Sequence, residues 1–154
     1  MPREEFPNVS PKTRAWCCFR LAYTELQYWL VGLTPEGYHL RQAQLWAEMQ
    51  AFKRAIVHMK SYLKNTENAT ARWYLAYYYS CAEEWSQAAL EYGRVAGVLP
   101  QPVVRLGQAE AELRLGNRAK AKEIIDSVDI EFPQLDAALR GARDELRKEF
   151  QLGA

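Results

Sequence analysis

The chain has little of what usually carries chemistry. Among 154 residues there are two histidines, His39 and His58, and three cysteines, Cys17, Cys18 and Cys81. No HExxH or CxxC spacing is present, so no metal site is expected. The eight glycines are scattered, which leaves no glycine-rich phosphate loop and no cofactor to expect. Cys17 or Cys81 could pair with a distant histidine as a nucleophile, but no local sequence supports it. The chain is therefore expected not to be an enzyme.

Charge of one sign is also missing. Twenty basic and 19 acidic residues leave a net charge of +1. Nucleic-acid binding in general needs a basic face to replace counterions, so it is not expected. There is no uninterrupted apolar run. The most apolar segment, "AWCCFRLAYTELQYWLVGL", is broken by Arg20, Glu25 and Gln27, which are costly at the centre of a bilayer. No membrane span is expected. The start, "MPREEFPNVSPKTR", has no apolar stretch of signal-peptide type. Together with an odd cysteine count, this suits a reducing, cytoplasmic setting. Adjacent Cys17 and Cys18 read first as small buried thiols, ahead of a vicinal disulfide or a metal site. Asn8-Val-Ser10 and Asn68-Ala-Thr70 match the glycosylation sequon, which matters only for a secreted chain.

What is present is helix. Alternating β-branched runs are absent, and Ala, Leu, Glu, Arg and Gln dominate. Breakers fall at intervals: Thr34-Pro35, "NTENAT" at 65–70, "LPQP" at 99–102, Gly116-Asn117 and "FPQLD" at 132–136. Ser10-Pro11 and Thr34-Pro35 each read as an N-cap followed by proline at the first helical position. The breakers suggest a period. Shifted by 33 residues, Ala55 falls on Ala88 and Ala88 on Ala121. Met59, Tyr92 and Ile125 align, as do Tyr62, Val95 and Val128. Phe52 falls on Trp85, Trp46 on Tyr79 and Pro100 on Pro133.

These positions resemble the tetratricopeptide repeat (TPR), a helix–turn–helix unit of about 34 residues. In the middle repeat, 69–101, the family positions hold Leu75-Ala76, Tyr79, Ala88, Tyr92 and Pro100. The repeat at 36–68 keeps Ala43, Trp46, Ala55 and Met59, with Gln42 for Leu and Glu67 for Pro. The repeat at 102–134 keeps Ala109, Gly116, Ala121, Ile125 and Pro133. It has Glu112 where the family has a large apolar residue, so its first helix is expected to turn by one residue and bring Leu113 inward. The resemblance implies an all-α fold in a single domain spanning 1–154. Its architecture is an α-solenoid of about three TPR units, with an N-terminal apolar helix within 1–33 and a capping helix at 135–150.

A solenoid needs its ends covered. "DAALRGARDELRKEF" puts Leu139, Ala142, Leu146 and Phe150 on one face, as a capping helix should. The N-terminal helix, near 11–31, has a stripe of Trp16, Phe19, Tyr23, Leu26 and Leu30, widened by Cys18, Ala22 and Trp29. The first expectation is a cap packed on the first repeat. A helix in the groove or a homodimer surface through Trp16, Phe19, Tyr23 and Trp29 are the sharper readings.

The stretch "WYLAYYYSCAEEW", 73–85, has six aromatic residues among thirteen. Leu75, Ala76 and Tyr79 are core positions. Trp73, Tyr74, Tyr77, Tyr78 and Cys81 are left over. Trp73, Tyr77 and Cys81 lie four apart on one row, and the resemblance puts that row in a concave groove. Its counterparts are Leu40, Gln44 and Glu48, then Leu106, Glu110 and Arg114. An aromatic centre with polar flanks suits a peptide or helix of a partner protein, because Trp and Tyr are common anchors. That makes the expected function a non-catalytic protein–protein interaction module, an adaptor or scaffold. The carboxylate clamp of chaperone-binding TPR domains is not expected, since Leu40, Gln44, Trp73 and Tyr77 supply no positive donors. Two alternatives stand beside it. "LGQAEAELRLGNRAKAKEII", 106–125, is similar to the last repeat of cytosolic type III secretion class II chaperones. The other is a subunit or homodimer assembling through the N-terminal helix.

Overall fold

The computed structural model describes residues 10–32 and 34–152, with side chains omitted at Val31 and 150–152. The described residues form eight α-helices and no strand: α1 (Pro11–Val31), α2 (Pro35–Glu48), α3 (Phe52–Leu63), α4 (Ala69–Cys81), α5 (Trp85–Ala96), α6 (Pro102–Arg114), α7 (Arg118–Glu131) and α8 (Ala137–Leu152). Local chemistry sets the helix starts. Ser10 Oγ accepts from Thr13 N at 3.1 Å, and Thr34 Oγ1 from Gly37 N at 3.1 Å, with proline next in each case. Asn68 Oδ1 accepts from Ala71 N at 3.0 Å to start α4. Each cap satisfies an amide that the helix cannot, worth about 1 kcal/mol.

The 33-residue period is physical. Gln50, Glu83 and Gly116 all have left-handed backbone, at φ 59°, 60° and 82°. Around them the same bonds recur. Ala51 N donates to Trp46 O, Glu84 N to Tyr79 O and Asn117 N to Glu112 O, each at 2.9 Å. These close the ends of α2, α4 and α6 and turn the chain at once into α3, α5 and α7. The next residue is extended enough to start the following helix, with φ near −80° to −87° and ψ near 57° to 62° at Ala51, Glu84 and Asn117.

Burial has the same period. Ala43, Ala76 and Ala109 are fully buried, and so are Ala55, Ala88 and Ala121. Small residues here allow close helix approach, and a larger one would cost about 1–3 kcal/mol by overpacking. Trp46, Tyr79 and Glu112 form the next buried set. The last member overturns the expected rotation of α6. Glu112 itself is buried and Leu113 only partly so. A carboxylate can hold this place because Lys120 Nζ reaches it at 2.5 Å and Asn117 Nδ2 at 2.7 Å. Burial alone would raise its pKa, but the bonds to Lys120 and Asn117 win and lower it.

The chain divides into two compact units, Met1–Ala71 and Arg72–Ala154. In the first, α2 packs on α3 and α1 on α2. In the second, α6 packs on both α5 and α7, and α8 on α6 and α7. One core cluster there joins Leu106, Ala109, Ile124, Ile125, Val128, Leu135 and Leu146, with Leu139 packed against it. Leu146 and Leu139 of α8 therefore face inward. The side chain of Phe150 lies outside the described residues. Arg143 and Arg147 of α8 both grip Asp129 of α7, Arg143 at 2.6 Å.

Candidate functional site: an aromatic cleft in the second unit

On α4, Leu75, Ala76, Tyr78 and Tyr79 are buried. Tyr78 is thus a core ring, not one of the residues left over. Trp73 is half-buried and Tyr77 is 47% exposed, one helical turn apart. Trp73 leans on Tyr74 with ring centroids 4.8 Å apart, and Tyr74 on Tyr78 at 6.2 Å. Trp73 and Tyr77 line a cleft of about 370 Å³ together with Val103, Leu106, Gly107, Glu110 and Arg114 of α6. The far wall is α8, through Leu139, Ala142, Glu145, Leu146 and Glu149. Five residues expected to share a groove (Trp73, Tyr77, Leu106, Glu110 and Arg114) are brought together. Leu106 sits at the base, nearly buried in the core cluster.

Tyr92 of α5 forms the floor beside Gly107. Burial pushes its phenol up to about 12, while a hydrogen bond with Ser80 pulls the other way. Arg114 is the electrostatic hub. It lies 3.9 Å from Glu110 and 3.4 Å from Glu149, and its guanidinium carbon stands 5.9 Å from the Trp85 ring centroid. Three carboxylates against one guanidinium leave the cleft net acidic.

Tyr74 and Cys81 do not line this cleft. Cys81 instead hydrogen-bonds with Tyr77, and that bond is the main reason the Tyr77 phenol is raised. Leu40 is half-buried on α2. Gln44 and Glu48 are turned to α1 within the first unit. Glu48 Oε2 accepts from Arg20 Nη1 at 3.3 Å and from Cys17 Sγ at 3.6 Å. Gln44 lines a smaller cleft, about 290 Å³, with Arg20, Tyr23, Thr24, Arg41 and Leu45.

Helix α1 corrects a second expectation. It does pack on α2, but through Cys17, Leu21 and Thr24, which are buried, with Tyr28 on Tyr38 at 4.8 Å. Of the large stripe, Trp16, Phe19, Leu26 and Leu30 are exposed, while Tyr23, about half exposed, also borders Arg41, Gln44 and Leu45 of α2 in the smaller cleft. Polar groups at the α2 surface explain the choice. Glu25 accepts from the Tyr38 hydroxyl, Gln27 from Arg41 at 2.8 Å, and Glu48 from Arg20.

The sequence reading missed one constellation. His39 Nδ1 and His58 Nδ1 lie 3.1 Å apart, with Tyr38 stacked edge-on to both rings. The histidines are 19 residues apart on different helices, so no local motif marks them. Burial first, and then the neighbouring His39, hold the His58 pKa below its ordinary value.

Neither Cys17 nor Cys81 is poised for attack. Burial is the main cause raising both Cys17 and Cys81, which keeps thiolate scarce at neutral pH. Among the described residues, no three His, Cys, Asp or Glu side chains gather as a metal site. Among the same residues, no helix is long and apolar enough to cross a membrane. No family model matches the chain, and no curated protein is significantly similar to it.

Proposed function

We propose that the protein is a non-catalytic interaction module of TPR type, whose aromatic cleft holds a peptide or helix of a partner protein. The observation that carries this is the convergence of Trp73 and Tyr77 with Glu110, Arg114, Glu145 and Glu149 around one open cavity. A partly buried Trp ring and a half-exposed Tyr ring offer large contact area with few rotors to freeze. A volume of about 370 Å³ is small for a drug-sized ligand but suits one or two anchoring side chains. The acidic rim favours a segment that places Lys or Arg beside an apolar or aromatic anchor. A carboxylate-terminated peptide fits poorly, because Arg114 already has Glu110 and Glu149.

The TPR assignment is supported by the recurrent turn at Gln50, Glu83 and Gly116 and by the alanines buried with the same period. The free thiols of Cys17, Cys18 and Cys81 support a cytoplasmic setting.

The test is selection from a random peptide library against wild type and against Trp73→Ala/Tyr77→Ala. Far-ultraviolet dichroism and a melting curve check that the double variant is folded. Wild type should enrich sequences with a basic residue next to an apolar one, and the double variant should lose them. No enrichment, or the same peptides from both proteins, sinks the reading.

A further inference from the structure

Helix α1 has a buried face on one side and exposed apolar residues on the other. Cys17, Leu21 and Thr24 serve the side packed on α2. On the other side, Trp16, Phe19, Tyr23, Leu26 and Leu30 are each between 49% and 73% exposed. Their spacing is three, four, three and four residues. That alternation is the heptad seam of paired helices. On a helix of 3.6 residues per turn the five fall within an arc of about 80°. Their rings already stack along it, Trp16 on Phe19 at 5.9 Å and Phe19 on Tyr23 at 6.4 Å. Trp29, 77% exposed, flanks the seam.

From these structural features we infer that this seam is a homodimer interface, in which two copies of α1 pair antiparallel about a twofold axis at Tyr23. Area is the first argument. An aromatic side chain has roughly 150–250 Å² to bury, so the exposed fractions, with Trp29 included, leave roughly 550–800 Å² of mostly apolar surface. A stable interface of standard size takes about 800 Å² from each partner. The largest apolar patch on an ordinary monomer is about 300–600 Å².

Self-complementarity is the second argument. An axis at Tyr23 brings Trp16 level with Leu30 of the partner subunit, and Phe19 within one residue of the partner's Leu26. Trp16 and Phe19 each thereby meet a leucine, contacts the twofold makes twice, while Tyr23 meets its own copy on the axis. Charge selects the direction. The basic residues Lys12, Arg14 and Arg20 all lie in the first half of the helix. Parallel pairing would line each up with its own copy. Antiparallel pairing sets the two Lys12 positions, which are exposed and in line with the seam, about 33 Å apart at 1.5 Å per residue, beyond the Debye length of about 8–10 Å. It also brings Arg20, which flanks the seam, within one residue of the partner's Gln27. The interface needs nothing from the aromatic cleft, so it stands or falls separately from the peptide-binding reading.

The experiment is molar mass by light scattering and sedimentation from about 1 to 200 μM, near the affinity range such areas give. Wild type should approach twice the 17.8 kDa chain mass. Phe19→Glu/Leu26→Glu should stay at one chain mass with unchanged helicity, since both positions are exposed. Direction is read by cross-linking in a Cys18→Ser/Cys81→Ser background. Mixing Phe19→Cys with Leu26→Cys chains should give the mixed disulfide in preference to either self-linked product. A wild type at one chain mass throughout, a dimer that survives the double glutamate change, or preferential Phe19→Cys self-linking would each overturn the interface.

Discussion

The ring of Tyr92 presses on the backbone of Gly107. A methyl group on that α-carbon would stand 2.5 Å from Tyr92 Cζ and 2.8 Å from its hydroxyl oxygen. Real carbon atoms do not approach so closely, so α5 and α6 owe their spacing to the missing side chain. Helix propensity alone would make Gly107→Ala stabilising by about 1 kcal/mol. The clash reverses the sign, because the buried ring cannot retreat without opening the cleft floor. We expect Gly107→Ala to lower unfolding free energy by about 1–2 kcal/mol. Urea denaturation of Gly107→Ala, Tyr92→Leu and the double variant checks this. The double variant should lose less than the two single changes together.

Gln42 occupies the place in α2 that Leu75 fills in α4. It is buried, and its Nε2 has no hydrogen-bond partner among the described residues. An unmet buried amide costs about 1–3 kcal/mol. Gln42→Leu removes the orphan and keeps the volume, so it should stabilise the protein by about 1 kcal/mol. A higher urea midpoint with unchanged slope is the expected result.

The His39–His58 contact makes the first unit acid-sensitive. His58 is pushed below its ordinary value of 6.5 by burial and by His39, with Glu25 opposing. The folded state then binds fewer protons than the unfolded chain below about pH 6.5. The stability from this site is intact above that pH and is lost as pH falls from 6.5 toward the lowered folded value. Denaturation at pH 7.5 and 5.5 should show a lower midpoint in acid. His58→Leu should reduce the difference between the two.

Left-handed backbone is held by a glycine in one turn and by side-chain-bearing residues in the other two. Gly116→Ala should destabilise by about 1–2 kcal/mol, because a Cβ at φ 82° crowds its own carbonyl. Glu83→Gly should gain, but less, about 0.5 kcal/mol, since glycine also frees the unfolded chain. Thermal melting of the two variants reads both signs.

The helix ends and the 33-residue period could be read directly from the chain, because caps, prolines and small residues act within a turn or two of where they stand. The bounds of α1 follow from Ser10-Pro11 at one end and left-handed Gly32 at the other. Half of the cleft was equally plain, since Trp73 and Tyr77 share a row. The rest depends on distant pairings that no window contains. Leu139 and Leu146 reach the cleft only because α8 folds back on α6 and α7. Glu112 looks misplaced until Lys120, on the next helix, supplies the charge that lets it stay buried. In α1 the pattern shows the aromatic stripe but not that the smaller face of Cys17, Leu21 and Thr24 packs on α2 instead. Size favours the aromatic stripe for the core, and the polar partners on α2 decide the opposite.

The turn shared by Gln50, Glu83 and Gly116 has a kinetic consequence. Its closing hydrogen bond spans only five residues, from Trp46 to Ala51 and at the same distance in the other two turns. The helices it joins meet with almost no loop to close, so little chain entropy is spent before packing begins. Contacts this local favour fast folding, and we expect a rate on the scale of microseconds to milliseconds. The α2–α3 and α6–α7 pairs, which pack on each other, are then suited to serve as nuclei on which their neighbours condense.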